Sequence, residues 1–473
     1  MYEDLRSFLR ALSENGWAHE IEVEVDPAWE IGAVCRENFN REGPALIFSH
    51  IKGFKTPMVV GVLGTREMYA LALGCEPRLP EIAKKWGNAF AGPIKAIEVN
   101  PKEAPCKEVK LKEVNLYADP FPVPRWHQLD AGAELGTFHG VITKDPETGW
   151  INMGTYRNQI IDKDKIGCLS PPYKHIAYHI RKWTSLGKKT MPVAIALGLD
   201  PYLNMVAVSG VPVEVDEYDI AGGLKGAPIK VVKAETSDLL VPANAEIILE
   251  GEMPLDEFWP EEGPFGEFHG YMGEIQRNSP FIKIHQVTHR KHPYFQGTYE
   301  GRPPHESGIA RGIGRSCVLF EHLRRSGCPG VKDVCVTVGG AAGLHAAVSI
   351  KKSFPGHARS VMALVWGFNI LFCKHVVVVD EDIDVWDPFM VEWAIATRVQ
   401  AARDVTIVEN AHTGVLDPSQ VPSRRGWSDW LGIDATIPDE HYKRDNSTFP
   451  PFADPPEEIM QKVRQRWGEY GIK

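Results

Sequence analysis

The sequence predicts a multidomain α/β protein with a strand-rich centre. Three observations carry this. Helix and strand patterns alternate over roughly the first hundred residues, strand patterns dominate from about 126 to 300, and alternation returns after about 315. The chain has 473 residues, 43% of them hydrophobic and 24% charged. At roughly 100–200 residues per domain, such a chain suits two to four domains.

The elements follow in order. Leu5, Phe8, Leu9 and Leu12 fall at helical spacing, and Asn15-Gly16 supplies a stop. HEIEVEV (19–25) alternates and reads as a strand. A helix over 28–39, strands at ALIFSH and MVVGVLG, and a helix over 65–74 complete the first part. Proline accumulates around 100–125 and marks a boundary. In the centre, FHGVITKD, MPVAIALGL, AEIILEGEM and FIKIHQVTHR read as strands, and one helix (173–187) ends at Gly187. That predominance of strands points to a barrel or a sandwich. Beyond 315 the pattern is strand (VKDVCVTV), helix (HAAVSIKKS), strand (KHVVVVD), helix (FMVEWAIATRVQ) and strand (VTIVEN). FPPFADPPEE is a linker, and PEEIMQKVRQRWGEY is a terminal helix with proline and acids at its start. The expected domains are 1–110 (α/β), 111–315 (strand-rich), 316–440 (α/β) and 441–473 (linker and oligomerisation helix).

Composition excludes several function classes. The formal net charge is -10 and no basic block of five appears, which argues against nucleic acid as a partner. No run of 18 apolar residues exists, so no membrane span is expected. The N-terminus lacks a basic segment followed by an apolar run, and a cytoplasmic location is expected. None of the 8 cysteines forms a C-x-x-C pair, and they read as buried, reduced thiols.

Four segments could carry chemistry, and each has a plainer reading beside the functional one. GWINMGTYRNQ (149–159) is either an exposed polar strand or a site where Asn152 offers an amide oxygen and Arg157 a fork for a carboxylate. His175 and His179 share one helix face at i, i+4. No Glu follows the first His, so a zinc-protease reading is weak and a core role competes. The acidic stretch VPVEVDEYDIAGGLKGAP (211–228) is a solvated loop or a source of oxygen ligands. One imidazole beside such oxygens shifts preference from Mg²⁺ towards Mn²⁺. In WPEEGPFGEFHGYMG (259–273), Glu262 and Glu267 flank Gly-Pro-Phe-Gly, a constrained turn. It is a surface loop with scattered acids, or it holds two carboxylates in a confined site where one becomes a proton donor near neutral pH. VGGAAGLH (338–345) lacks phosphate-loop spacing and reads as a tight turn; SGIARGIGRS carries no fingerprint either.

Together and in order, the motifs N-x-G-x-Y-R (152–157), His175, E-x-D-x-A-G (217–222), E-G-P-F-G-E (262–267) and V-D-x-D-I-D (379–384) resemble the UbiD family of reversible decarboxylases, which use prenylated FMN. Matching stretches run from about 100 to 390. The resemblance implies an α+β / α/β multidomain protein whose central domain is a split β-barrel of the flavin-reductase type. It implies that Asn152, His175 and Glu217 hold Mn²⁺ against the cofactor phosphate, with K⁺ nearby. Arg157 matches the arginine at the reacting centre, Glu267 the proton-transfer residue, and Glu262 its acidic companion, which with Arg157 sets the Glu267 pKa. Gly154, Thr155, Ser209, Val211 and Pro212 fall where family members contact the cofactor, and Lys374 resembles a flavin-contacting lysine. Lys174 joins the cofactor residues at a position where some members carry glutamine, and the stretch between Pro212 and Glu217 is short for the family. Gln296 is a candidate substrate contact, and GWSDWLGIDATIP (426–438) a candidate cap on the pocket.

The implied function is reversible, non-oxidative decarboxylation of an aromatic, heteroaromatic or α,β-unsaturated carboxylic acid, with CO₂ as co-product. A flavin prenyltransferase is the implied cofactor supplier. A homo-oligomer, dimer or hexamer, is expected from the family and the terminal helix. Two other classes compete: a Mn²⁺ or Zn²⁺ hydrolase using His175 and acidic residues, and a non-catalytic flavin-binding assembly protein.

Overall fold

A computed structural model describes residues 1–172, 174–368, 372–439 and 449–471. Tyr173, which the sequence places at a helix start, and residues 441–448 of the predicted tail lie outside these. The architecture is mixed α/β, as the sequence predicts, and it contains three main sheets.

The N-terminal sheet orders Ala18–Ile21, Ala45–Phe48, Met58–Val60 and Phe295–Gln296. Its last strand comes from the far end of the central region, so the first domain is tied to the second by backbone pairing. The helix Leu5–Glu14 buries Leu5, Phe8, Leu9 and Leu12, the stripe read from spacing. Its start is capped by Asp4 and Ser7, which exchange hydrogen bonds as a capping box.

The central sheet has nine strands among the described residues. Its hydrogen-bonded path runs Glu134–Gly136, Asn158–Asp162, Lys165–Gly167, Phe281–His289, Ile247–Pro254, Thr190–Leu197, Gly140–Lys144, Ile151–Gly154. Every pairing along it is antiparallel. The last strand on this path and the second are joined by residues 155–157 alone. Six strand spacings in a flat sheet would separate them by about 29 Å. The link reaches at most about 14 Å. The sheet therefore curls until its ends meet, giving the split barrel, and residues 155–157 are its seam.

The C-terminal sheet orders Val331–Val336, His345–Ile350, His375–Asp380, Trp427–Ala435 and Val405–His412. The inner three strands are parallel. His345–Ile350 corrects the helix read at HAAVSIKKS. The strand is buried on both faces, so no alternation survives and its alanines imitate a helix. The acidic stretch after 211 is also not a loop throughout: Glu217–Lys225 is a helix, started by Asp216. SGIARGIGRS lies inside the helix Glu306–Arg325. Its glycines permit close packing there: a Cβ at Gly314 would lie 1.9 Å from Ser209 Oγ. This long helix packs against Leu79–Ala91 and Pro201–Ser209 and also against Val331–Val336, linking the central and C-terminal regions.

Candidate active site

The barrel seam positions the site. A cavity of about 390 Å³ opens there, walled by the seam, the 263–269 turn, the helix Glu306–Arg325 and loops of the C-terminal region. Arg157, the last seam residue, is the hub. Its Nη1 donates to Glu267 Oε1. Its Nε lies 3.8 Å from Glu262 Oε1, an ion pair without a hydrogen bond. Its guanidinium stacks over Phe265, 3.8 Å from the ring centroid. Arg157 Nη2 has no hydrogen-bond partner among the described residues.

The two glutamates reach Arg157 by different routes. Glu262 ends the strand Trp259–Glu262, which pairs with Gln276–Ser279. Ser279 Oγ donates to its Oε2. Glu267 follows the turn, which Gln159 and Asp130 pin by accepting from the backbone N–H of Gly263 (3.0 Å) and Gly266 (2.9 Å). A Cβ at Gly266 would stand 2.2 Å from the His127 ring, so a larger residue there would displace the ring that Asp130 holds. Burial raises the carboxyl pKa of both Glu262 and Glu267 against the pull of Arg157. The nearby Glu300 charge lifts Glu267 further, whereas Glu262 is not among its principal influences.

Asn152, His175 and Glu217 line the same cavity. Glu217 Oε1 lies 3.6 Å from His175 Nδ1, and its Oε2 accepts from the Met153 N–H at 3.0 Å. Asn152 donates to Thr143 Oγ1 at 3.2 Å, which leaves its Oδ1 turned to Tyr156. Two oxygen donors and one imidazole suit a borderline-hard divalent ion such as Mn²⁺. Among the described residues no three His, Cys, Asp or Glu side chains gather as a metal cluster, so the amide is needed to complete this set. His179 is a core residue: it is fully buried, bonded to Thr143 Oγ1 at 2.8 Å, and held neutral by burial, which lowers its pKa to about 4.

Lys174, Arg311 and Arg315 add positive charge to the wall. Lys174 is exposed to the cavity. Burial, then Arg315 and Arg311, pushes its ammonium down to about 7. Gly154, Thr155, Ser209 and Val211 also line the cavity. Three predicted residues do not. Pro212 lies outside the wall. Lys374 gives its ammonium to Asp417 (2.8 and 2.9 Å) and Ser419 (2.8 Å), and it is Asp417 that faces the cavity. Gln296 is buried and accepts from the Leu199 N–H (3.1 Å) and from Asn204 (3.3 Å).

Sequence reasoning missed Arg311, Arg315, Glu134 and Glu300, all in the wall. Arg311 and Arg315 stand at i, i+4 on one helix face, a legible signal. Glu134 is a lone acid beside Leu-Gly and offered none.

Comparison with known proteins gives the family and the fold. The three 3-octaprenyl-4-hydroxybenzoate carboxy-lyase (UbiD) domain signatures match in order: the N-terminal domain over 9–86, the Rift-related domain over 97–303 and the C-terminal domain over 310–435. The chain belongs to the UbiD family of carboxy-lyases. It is 37% identical to an uncharacterised protein of Archaeoglobus fulgidus, over 99% of this chain and 98% of that one. Among solved structures it resembles the UbiD-class enzyme HmfF from Pelotomaculum thermopropionicum in complex with FMN (TM-score 0.87, 33% identity, 98% and 99% of the two chains). An evolved dimeric form of HmfF, in complex with prFMN, gives a TM-score of 0.84 at 32% identity, over 96% and 97% of the chains. Vanillic acid decarboxylase from Sedimentibacter hydroxybenzoicus gives 0.87 at 31% identity, over 99% of each chain.

Proposed function

We propose that this chain reversibly decarboxylates an aromatic, heteroaromatic or α,β-unsaturated acid, with prenylated FMN and Mn²⁺ held in the seam cavity. The observation that carries the reading is one guanidinium, Arg157, set between two buried carboxyls in the seam cavity. The cavity of about 390 Å³ lies within the roughly 300–1,000 Å³ typical of small-molecule sites. Lys174, Arg311 and Arg315 offer charge for a flavin phosphate, and Asn152, His175 and Glu217 offer the donors for Mn²⁺, with K⁺ close by. Gly154, Thr155, Ser209 and Val211 supply wall along the flavin. Prenylated FMN, when bound, supplies an electron sink for the pair left when CO₂ departs.

The chain's own residues do the rest. Arg157, with Nη2 uncommitted, aligns the substrate carboxylate. The carbon–carboxylate bond breaks, CO₂ leaves, and the proton of neutral Glu267 replaces it on that carbon; solvent reprotonates Glu267. In the carboxylating direction Glu267 takes that proton back. Glu262, anchored by Ser279, holds the Nε side of Arg157 and so keeps its Nη1 on Glu267.

The test is co-expression with a flavin prenyltransferase, followed by incubation with a panel of aromatic and heteroaromatic acids. Release of CO₂ from at least one acid, dependent on the prenylated flavin, is expected. Exchange of divalent metal out of the protein should lower retained flavin absorbance as well as activity. Full activity of colourless, flavin-free protein would contradict the reading.

A further inference from the structure

The cavity wall carries polar groups that the decarboxylation chemistry leaves unused. Trp126, His127 and Glu134 all line it. Each has a polar atom without a hydrogen-bond partner among the described residues: Trp126 Nε1, His127 Nε2 and Glu134 Oε1. They gather beside the reacting residues. Glu134 feels the charges of Arg157, Glu262, Asp130 and Glu267. The His127 ring packs against Gly266, next to Glu267 in the chain. Trp126 and His127 both meet Tyr299, with ring centroids 6.3 and 4.9 Å away.

This arrangement is built. Asp130, fully buried, accepts from the His127 backbone N–H at 2.7 Å and contacts its Nδ1 at 3.1 Å, which fixes the ring and leaves Nε2 uncommitted. Glu134 sits on the strand Glu134–Gly136, whose backbone is paired to Pro124 and to Gln159. Much of the remaining wall is apolar, with Leu169, Val206, Val208, Val211 and Phe265 among its residues. A buried polar group without a partner is costly, and a ligand supplying the partner recovers that cost.

The chemistry of that partner follows from what is already present. Trp126 N–H can only donate. Glu134 lies under the charges of Glu262, Asp130 and Glu267 against the pull of Arg157, so another negative charge beside it is disfavoured. The fitting group is uncharged and hydrogen-bonding.

We propose that Glu134, supported by Trp126 and His127, is a specificity-determining residue. It selects acids whose ring carries a hydroxyl or a ring N–H over acids carrying no such group or a second carboxylate. This inference rests on the decarboxylase reading of the site.

The test compares kcat/KM of the flavin-loaded enzyme on benzoic, hydroxybenzoic, pyrrole-2-carboxylic, furan-2-carboxylic and benzene-1,3-dicarboxylic acids. The hydroxyl and ring N–H arms distinguish which of the two groups is used. Wild type should favour a hydroxyl or N–H acid by about tenfold or more. In E134L that preference should collapse through KM, with the flavin spectrum unchanged; E134Q, which still hydrogen-bonds, should keep most of it. W126F, expected to weaken the same preference, serves if E134L fails to fold. CO₂ release without preference in wild type, or a preference that survives E134L, overturns this inference alone. No CO₂ from any acid overturns it together with the decarboxylase reading.

Discussion

At the scale of single residues, the site is a problem of charge accounting. One guanidinium faces Glu262 and Glu267, with Glu134 and Asp130 close behind. Burial, against the pull of Arg157, raises the carboxyl pKa of Glu134, Glu262 and Glu267 above the ordinary carboxylate value. Burial raises Glu267, and in the proposed mechanism the acid form is the one that donates. Decarboxylation should therefore hold at pH below this raised pKa and fall as pH rises through it. Glu300 helps set the limb, because its charge raises Glu267. E300Q should lower the Glu267 pKa and move the alkaline limb of kcat/KM to lower pH. A limb that stays in place or moves up would contradict this assignment. Gln296 shows the opposite outcome for a residue: it is polar and buried, yet its oxygen is spent on Leu199 and Asn204.

At the scale of elements, the helix Glu306–Arg325 supports the site from behind. Its first residue, Glu306, is fully buried and accepts from the backbone N–H of Gly61 (2.8 Å) and Leu63 (2.9 Å). It thereby ties the N-terminal domain to the helix that carries Arg311 and Arg315. Glutamine there offers one oxygen for two donors. E306Q should cost about 1–3 kcal/mol, read as a lowered thermal midpoint of the apo-protein. An unchanged midpoint would show that these bonds carry no net stability. Elements were legible where one face meets solvent or a strong stop follows, as in Leu5–Glu14 and His175–Ser185. They were illegible where both faces are buried, as in His345–Ile350, or where glycines mask a helix, as around Gly312 and Gly314. The helix Glu217–Lys225 hid behind its acids: Asp216 caps it, and Glu217 points into the cavity wall instead of solvent.

At the scale of the whole molecule, the arrangement of the site depends on closure of the curled sheet. Arg157 and Glu267 are 110 positions apart in sequence and become neighbours because the barrel seam faces the 263–269 turn. No local pattern encodes that contact. Taken singly, Arg157, Glu262 and Glu267 each had a plain surface reading, and the order of motifs along the chain was what joined them. Glu134, by contrast, belongs to no motif, and only the fold brings it beside Arg157. The central claim is that Glu267 moves the proton. It is tested most directly by hydrogen–deuterium exchange at the carboxyl-bearing carbon of the product, comparing wild type and E267Q, both loaded with prenylated FMN and Mn²⁺. The account predicts that E267Q retains the flavin spectrum while exchange and turnover fall by about 10²–10⁴-fold. Exchange at the wild-type rate in flavin-loaded E267Q would contradict it.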